Sequence, residues 1–80
     1  MTNQTLTPLA QSEIVIFARR HNVPVEQVYT LPVIFEKMAS VSGKPIRTII
    51  SLATYSNPDL AEYVKELAEQ VSEEMAKPVA

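Results

Sequence analysis

The chain has no cysteine, no tryptophan, one histidine and one glycine among its 80 residues. Without cysteine, neither a disulfide nor a thiolate metal site can add stability, and the redox compartment leaves no mark on the sequence. The lone His21 excludes a histidine-rich metal site, and no metal is expected. The lone Gly43 sits in Ser42-Gly43-Lys44-Pro45, where a proline stands in place of the Ser or Thr that a phosphate-binding loop uses for magnesium. The arrangements used by catalysis are also missing: no Gly-x-Ser-x-Gly elbow, no base set beside a nucleophile around His21, and carboxylates at ordinary solvent-face spacing near the C-terminus. A non-enzyme without a cofactor is expected. The longest run of large apolar residues, Ile14-Val15-Ile16-Phe17, is too short to span a membrane, and no basic segment precedes an apolar one at the amino end. The expectation is a cytoplasmic protein with no membrane partner.

What is present is a globular composition, with 46% hydrophobic and 20% charged residues. A domain this small buries only about 60% of the surface its unfolded chain exposes. The chain is therefore richer in apolar residues than a monomer of this size easily hides, and a homo-oligomer, a dimer, is expected. The net charge of −2 is unevenly placed. Arg19, Arg20, Lys37, Lys44 and Arg47 outnumber Glu13, Glu26 and Glu36 in residues 1–56. Beyond them, Asp59, Glu62, Glu66, Glu69, Glu73 and Glu74 outnumber Lys65 and Lys77. The front is mildly basic and the back acidic.

Periodicity and punctuation predict an all-α fold: a compact bundle of four main helices plus one short helix. Thr7-Pro8 opens the first helix, which places Ala10, Ile14, Phe17 and Ala18 on one face and stops at Asn22. The Ile14–Phe17 run is also compatible with a strand, but its flanks favour helix and no second strand is evident. A short helix over Val25–Thr30 ends near Pro32. The next helix, with Leu31, Ile34, Phe35, Met38 and Ala39 on its inner face, ends at Gly43. A fourth, from Pro45 to about Tyr55, is apolar over more than half its circumference, as a central helix would be. Asn57-Pro58-Asp59 then starts a last helix reaching about Ala76. A single helical domain over 8–76 is expected, with flexible tails at 1–7 and 77–80.

Two stretches twenty-one residues apart share a skeleton. Ala18, Asn22, Pro24, Val28 and Leu31 are matched by Ala39, Gly43, Pro45, Ile49 and Leu52. In each, a small Ala is followed by a residue suited to a left-handed turn, then by Pro, then by apolar residues three apart; two helices are joined tightly in this way. The skeleton resembles the helix-turn-helix of bacterial and phage DNA-binding domains, within residues 14–52, although Lys44 takes a place that is usually apolar there. The resemblance implies a small DNA-binding accessory or regulatory protein. The second copy offers the better reading surface. Arg47, Thr48, Ser51 and Tyr55 point outward from its second helix with Lys44 at the turn; Lys44, Arg47, Thr48 and Ser51 would face the DNA groove, and Arg19 and Arg20 would hold the DNA backbone. In the first copy, Pro32 shortens the equivalent helix and Glu26 would face phosphate. The rival expectation is a protein–protein interaction module or small inhibitor without a nucleic-acid ligand. Val15, Ile16, Val33 and Val41 lie off the main apolar stripes and suit an exposed patch, with Tyr29, Tyr55 and Tyr63 suited to an interface. The seam Leu60, Val64, Leu67, Val71 on the last helix is the expected dimer interface, against the alternative that it packs within its own domain.

Overall fold

The computed structural model describes residues 8–76; the expected tails at 1–7 and 77–80, and the capping role of Thr7, lie outside the described residues. Helix α1 runs Pro8–Arg20, a 3-10 helix Val25–Thr30 leads directly into α2, Leu31–Ser42, and α3 covers Ile46–Ser51. A π-helical turn, Leu52–Ser56, follows α3, and α4, Pro58–Ala76, closes the chain. There is no strand among the described residues, so the Ile14–Phe17 run is helical. The all-α fold expected from periodicity is the fold observed.

The doubled skeleton is a doubled junction in space. Asn22 and Gly43 both take the left-handed conformation, at φ 59° and φ 75°. Behind the first, the Val23 N–H donates to the Ala18 carbonyl at 2.9 Å and the Asn22 N–H to that of Arg19 at 3.4 Å, the paired bonds of a Schellman motif. Behind the second, the Gly43 N–H donates to the Ala39 carbonyl at 2.9 Å, the simpler left-handed cap. Pro24 and Pro45 then hold nearly the same backbone angles, −58°, 144° and −59°, 143°, and turn the chain into the next helix.

The copies diverge after those prolines. Pro32 has no N–H to give the Val28 carbonyl, so that carbonyl takes the Leu31 N–H instead and the segment tightens to 3-10 geometry. Pro32 is tolerated because it falls in the first turn of α2, where backbone donors have no intrahelical partner. The second copy has no such proline and forms the true helix α3. The α-helix is shorter than the Pro45–Tyr55 expected, because its last turn widens: the Asn57 N–H bonds the Leu52 carbonyl at 2.8 Å, five residues back.

The core gathers the inner faces read from the sequence. Ala10, Ile14, Phe17 and Ala18 of α1 meet Leu31, Ile34, Phe35 and Ala39 of α2, with Ile49 and Ile50 of α3 between them. Phe17 and Phe35 are fully buried and meet edge to face, ring centroids 5.4 Å apart. Burying each such ring contributes about 1.5–3 kcal/mol. Helix α4 buries Ala61, Val64 and Ala68 and packs on the 3-10 segment, the π turn and α2. Its start is capped as expected, the Leu60 N–H donating to Asn57 Oδ1 at 3.1 Å.

Candidate functional site

Two surfaces compete for function. The first is the outer face of α3. Arg47, Thr48 and Ser51 are exposed there and Lys44 is exposed in the turn before it, as the sequence led one to expect. Arg47 is engaged, however: its Nε and Nη2 donate to the two carboxylate oxygens of Glu13 on α1, each at 3.0 Å. This fork ties α1 to α3 across the surface. The hydrogen bonds from Arg47 hold the Glu13 carboxyl below its ordinary range, outweighing a slight desolvation, and the same bonds raise the guanidinium of Arg47 further. Each group is therefore charged at neutral pH, and the net charge of the pair is zero. About two turns further along α1, beside the π-helical turn that follows α3, the Arg20 guanidinium lies over the Tyr55 ring, 5.1 Å from its centroid, a cation–π contact. Arg19 is exposed beside it on the last turn of α1.

Between these two bridges lies a small cavity of about 90 Å³, lined by Glu13, Ile16, Ser51 and Tyr55 over Ile50 and Thr54. Beneath it, His21 is a structural residue. Its Nε2–H donates to the Thr54 carbonyl at 3.0 Å, and its ring rests 4.8 Å from that of Phe17. That carbonyl belongs to the last turn before Asn57, where backbone acceptors have no helical partner, so His21 closes the end of the α3 and π segment.

The second surface is a groove of about 530 Å³ between α2 and α4. Val33, Ile34, Lys37, Met38 and Val41 form the α2 wall; Tyr63, Leu67 and Val71 form the α4 wall. Val33, Val41 and Tyr63 are 62%, 80% and 53% exposed, so the lips of the groove are apolar and in solvent. Lys37 is the one charged residue in its lining.

The expected dimer seam divides at this point. Val64 is fully buried in its own chain and so presents no intermolecular face, whereas Leu60 is only partly buried against the same core. Leu67 and Val71 reach the groove. The residues expected off the apolar stripes also separate, Val33 and Val41 lining the groove while Val15 and Ile16 lie half exposed on α1. Glu13 is the partner of Arg47 that sequence reasoning missed; it stands 34 residues from Arg47 and no local spacing links the two.

Among the described residues no cluster of three His, Cys, Asp or Glu is placed to hold a metal ion, and no helix is long and apolar enough to cross a membrane. The chain matches no family model, no curated protein and no solved structure, so its functional reading rests on its own residues.

Proposed function

We propose that this protein is a non-enzymatic helical interaction module that docks a protein partner in the groove between α2 and α4. The observation that carries the reading is the groove itself: an open, apolar trough whose lips, Val33, Val41 and Tyr63, stand in water. Exposing such side chains together is unfavourable, and contiguous exposed apolar surface marks interaction sites. An amphipathic helix laid in a hydrophobic trough is a recurrent recognition mode, and a trough walled by two helices suits it. The test is site-specific photocrosslinking in the cells that make the protein, from position 41 in the groove and from position 11 on α1, where Gln11 is exposed. Adducts of defined mass from position 41 and none from position 11 are expected; no adduct from position 41 overturns the reading.

A second reading, DNA binding through α3, is supported by the helix junction at Gly43 and by the four exposed residues Lys44, Arg47, Thr48 and Ser51. It is weakened by Glu13, which occupies the guanidinium that would pair with a base or phosphate. On this reading Glu13→Gln, by releasing Arg47, tightens duplex binding, and binding falls steeply with salt. An NMR titration with mixed duplexes at low and moderate salt decides it: no shifts around residues 44–51 in either protein exclude DNA as a partner.

A further inference from the structure

Resting on the second reading, in which α3 meets an anionic partner, we infer that the shallow hollow over α3 is a phosphate site and that Glu13 is its guard, an autoinhibitory contact that an incoming phosphate displaces. The lining of the hollow, its idle donors and the fork on Arg47 lead there.

The hollow, of about 540 Å³, is walled by Pro45, Arg47, Thr48, Ser51 and Leu52 on the α3 side and by Glu13 alone from α1. Arg47 and Thr48 stand one helical turn before Ser51, so the three side chains share a face. A guanidinium and two hydroxyls together are donors suited to phosphate oxygens, the planar fork of an arginine most of all. Lys44, exposed in the turn just before Pro45, adds positive charge at the edge.

Two of these donors are idle. The hydroxyls of Ser12 and Thr54 turn back onto carbonyls four residues earlier, those of Pro8 and Ile50, as helical Ser and Thr commonly do. Thr48 and Ser51 are exposed, and neither hydroxyl has a hydrogen-bond partner among the described residues. Both line the hollow with a donor to give.

The third donor group is occupied, and its occupant shows what it fits. Glu13 sets its two carboxylate oxygens against Nε and Nη2 of Arg47, each at 3.0 Å, the same pair of parallel bonds that a phosphate makes with an arginine. Glu13 is also the only acid in the lining, and it cancels the only cation there. With the fork closed the hollow has no net charge and turns a carboxylate toward any anion; with it open the hollow presents a free guanidinium beside two hydroxyls. The side chains of the pair are 53% and 30% exposed, so water and salt screen the contact and a multiply charged anion can break it.

The experiment is an NMR titration of the full chain at low salt with two probes, inorganic tripolyphosphate and a mixed-sequence duplex, read at the amides of residues 44–51 and at the Arg47 Nε–H. Glu13→Gln is expected to tighten binding by about threefold or more, with the Arg47 Nε–H shifting on saturation. Arg47→Ala should change the wild-type affinity little, because the guanidinium is already engaged, yet abolish the gain in the Glu13→Gln background. Thr48→Ala should weaken binding in that background too. Glu69→Gln makes the same change in net charge on α4, outside the hollow, and should not reproduce the gain. Circular dichroism checks each variant, and Glu13→Ala replaces Glu13→Gln if the latter loses helical content. A gain with both probes or with the duplex alone supports the site; a gain with tripolyphosphate alone supports it and overturns the DNA reading. Shifts at residues 44–51 without any gain from Glu13→Gln overturn the guard alone. An equal gain from Glu69→Gln, or an equal cost of Arg47→Ala in both backgrounds, overturns it as well. Binding that neither Arg47→Ala nor Thr48→Ala weakens places the site elsewhere and overturns the proposal, and no shift at residues 44–51 with either probe in either protein overturns the proposal and the DNA reading together.

Discussion

At the scale of single residues, Gly43 and the Glu13–Arg47 pair carry the most. A Cβ added to Gly43 would meet no atom within 4 Å, so the cost of Gly43→Ala is the left-handed backbone alone. That cost is about 1–2 kcal/mol, and a urea melt of the variant should show a lower midpoint with an unchanged slope. Asn22 fills the equivalent position because its short polar side chain tolerates that conformation, and Asn22→Gly is accordingly expected to be neutral or slightly stabilising in the same melt. The ion pair predicts a pH dependence of fixed sign. Because the folded-state pKa of Glu13 is lowered from 4.5, its contribution to stability is present above that value and is lost as pH falls through the folded pKa. Glu13→Gln should therefore lower the melting temperature slightly at pH 7, and the two proteins should converge once the pH falls below the folded-state pKa of Glu13. Both partners are solvent-exposed enough that salt should shrink the difference.

At the scale of elements, the starts and stops of helices were written in local chemistry. Asn57 caps α4 through the Leu60 N–H, and Asn57→Ala should cost about 1 kcal/mol, read as a loss of helical signal at lower denaturant. What local chemistry did not reveal was the kind of helix. Val25–Thr30 is 3-10 rather than α because Pro32, two residues beyond it, cannot serve the Val28 carbonyl. The Leu52–Ser56 turn is π-helical, and no proline or glycine within it signals this. Its Thr54 carbonyl is met by His21 from α1, 33 residues away, and the buried Thr54 hydroxyl donates to the Ile50 carbonyl at 2.7 Å. His21→Ala should thus destabilise through an unpaired carbonyl and lost contact with Phe17, by about 1–3 kcal/mol. His21→Gln, which keeps a donor, should recover part of that loss.

At the scale of the whole molecule, the two candidate faces lie on different helix pairs, the charged one on α1 and α3 and the apolar one on α2 and α4. A protein that dimerises through the apolar face should melt at a temperature that rises with its own concentration, because association stabilises only the folded state. Differential scanning calorimetry over a hundredfold concentration range checks this. A flat melting temperature would mean that the monomer supports its fold unaided. Removing Phe17, fully buried against Phe35, should cost about 3–5 kcal/mol, a large share of the stability typical of so small a domain, read as a lower urea midpoint of Phe17→Ala.

The amino-acid sequence by itself determined where the helical segments lie, the Asn57 cap of α4, the two left-handed turns at Asn22 and Gly43 and the inner faces of α1 and α2, because each depends on residues a few positions apart. It also marked Val33 and Val41 as misfits on their helix. Only the tertiary structure decided where those misfits face, since the groove joins α2 to residues of α4 some thirty positions away. The same packing buried Val64 and left Leu67 and Val71 lining the groove, and it set Glu13 beside Arg47. Helical periodicity defines a face, but which neighbour covers that face is a property of the whole chain.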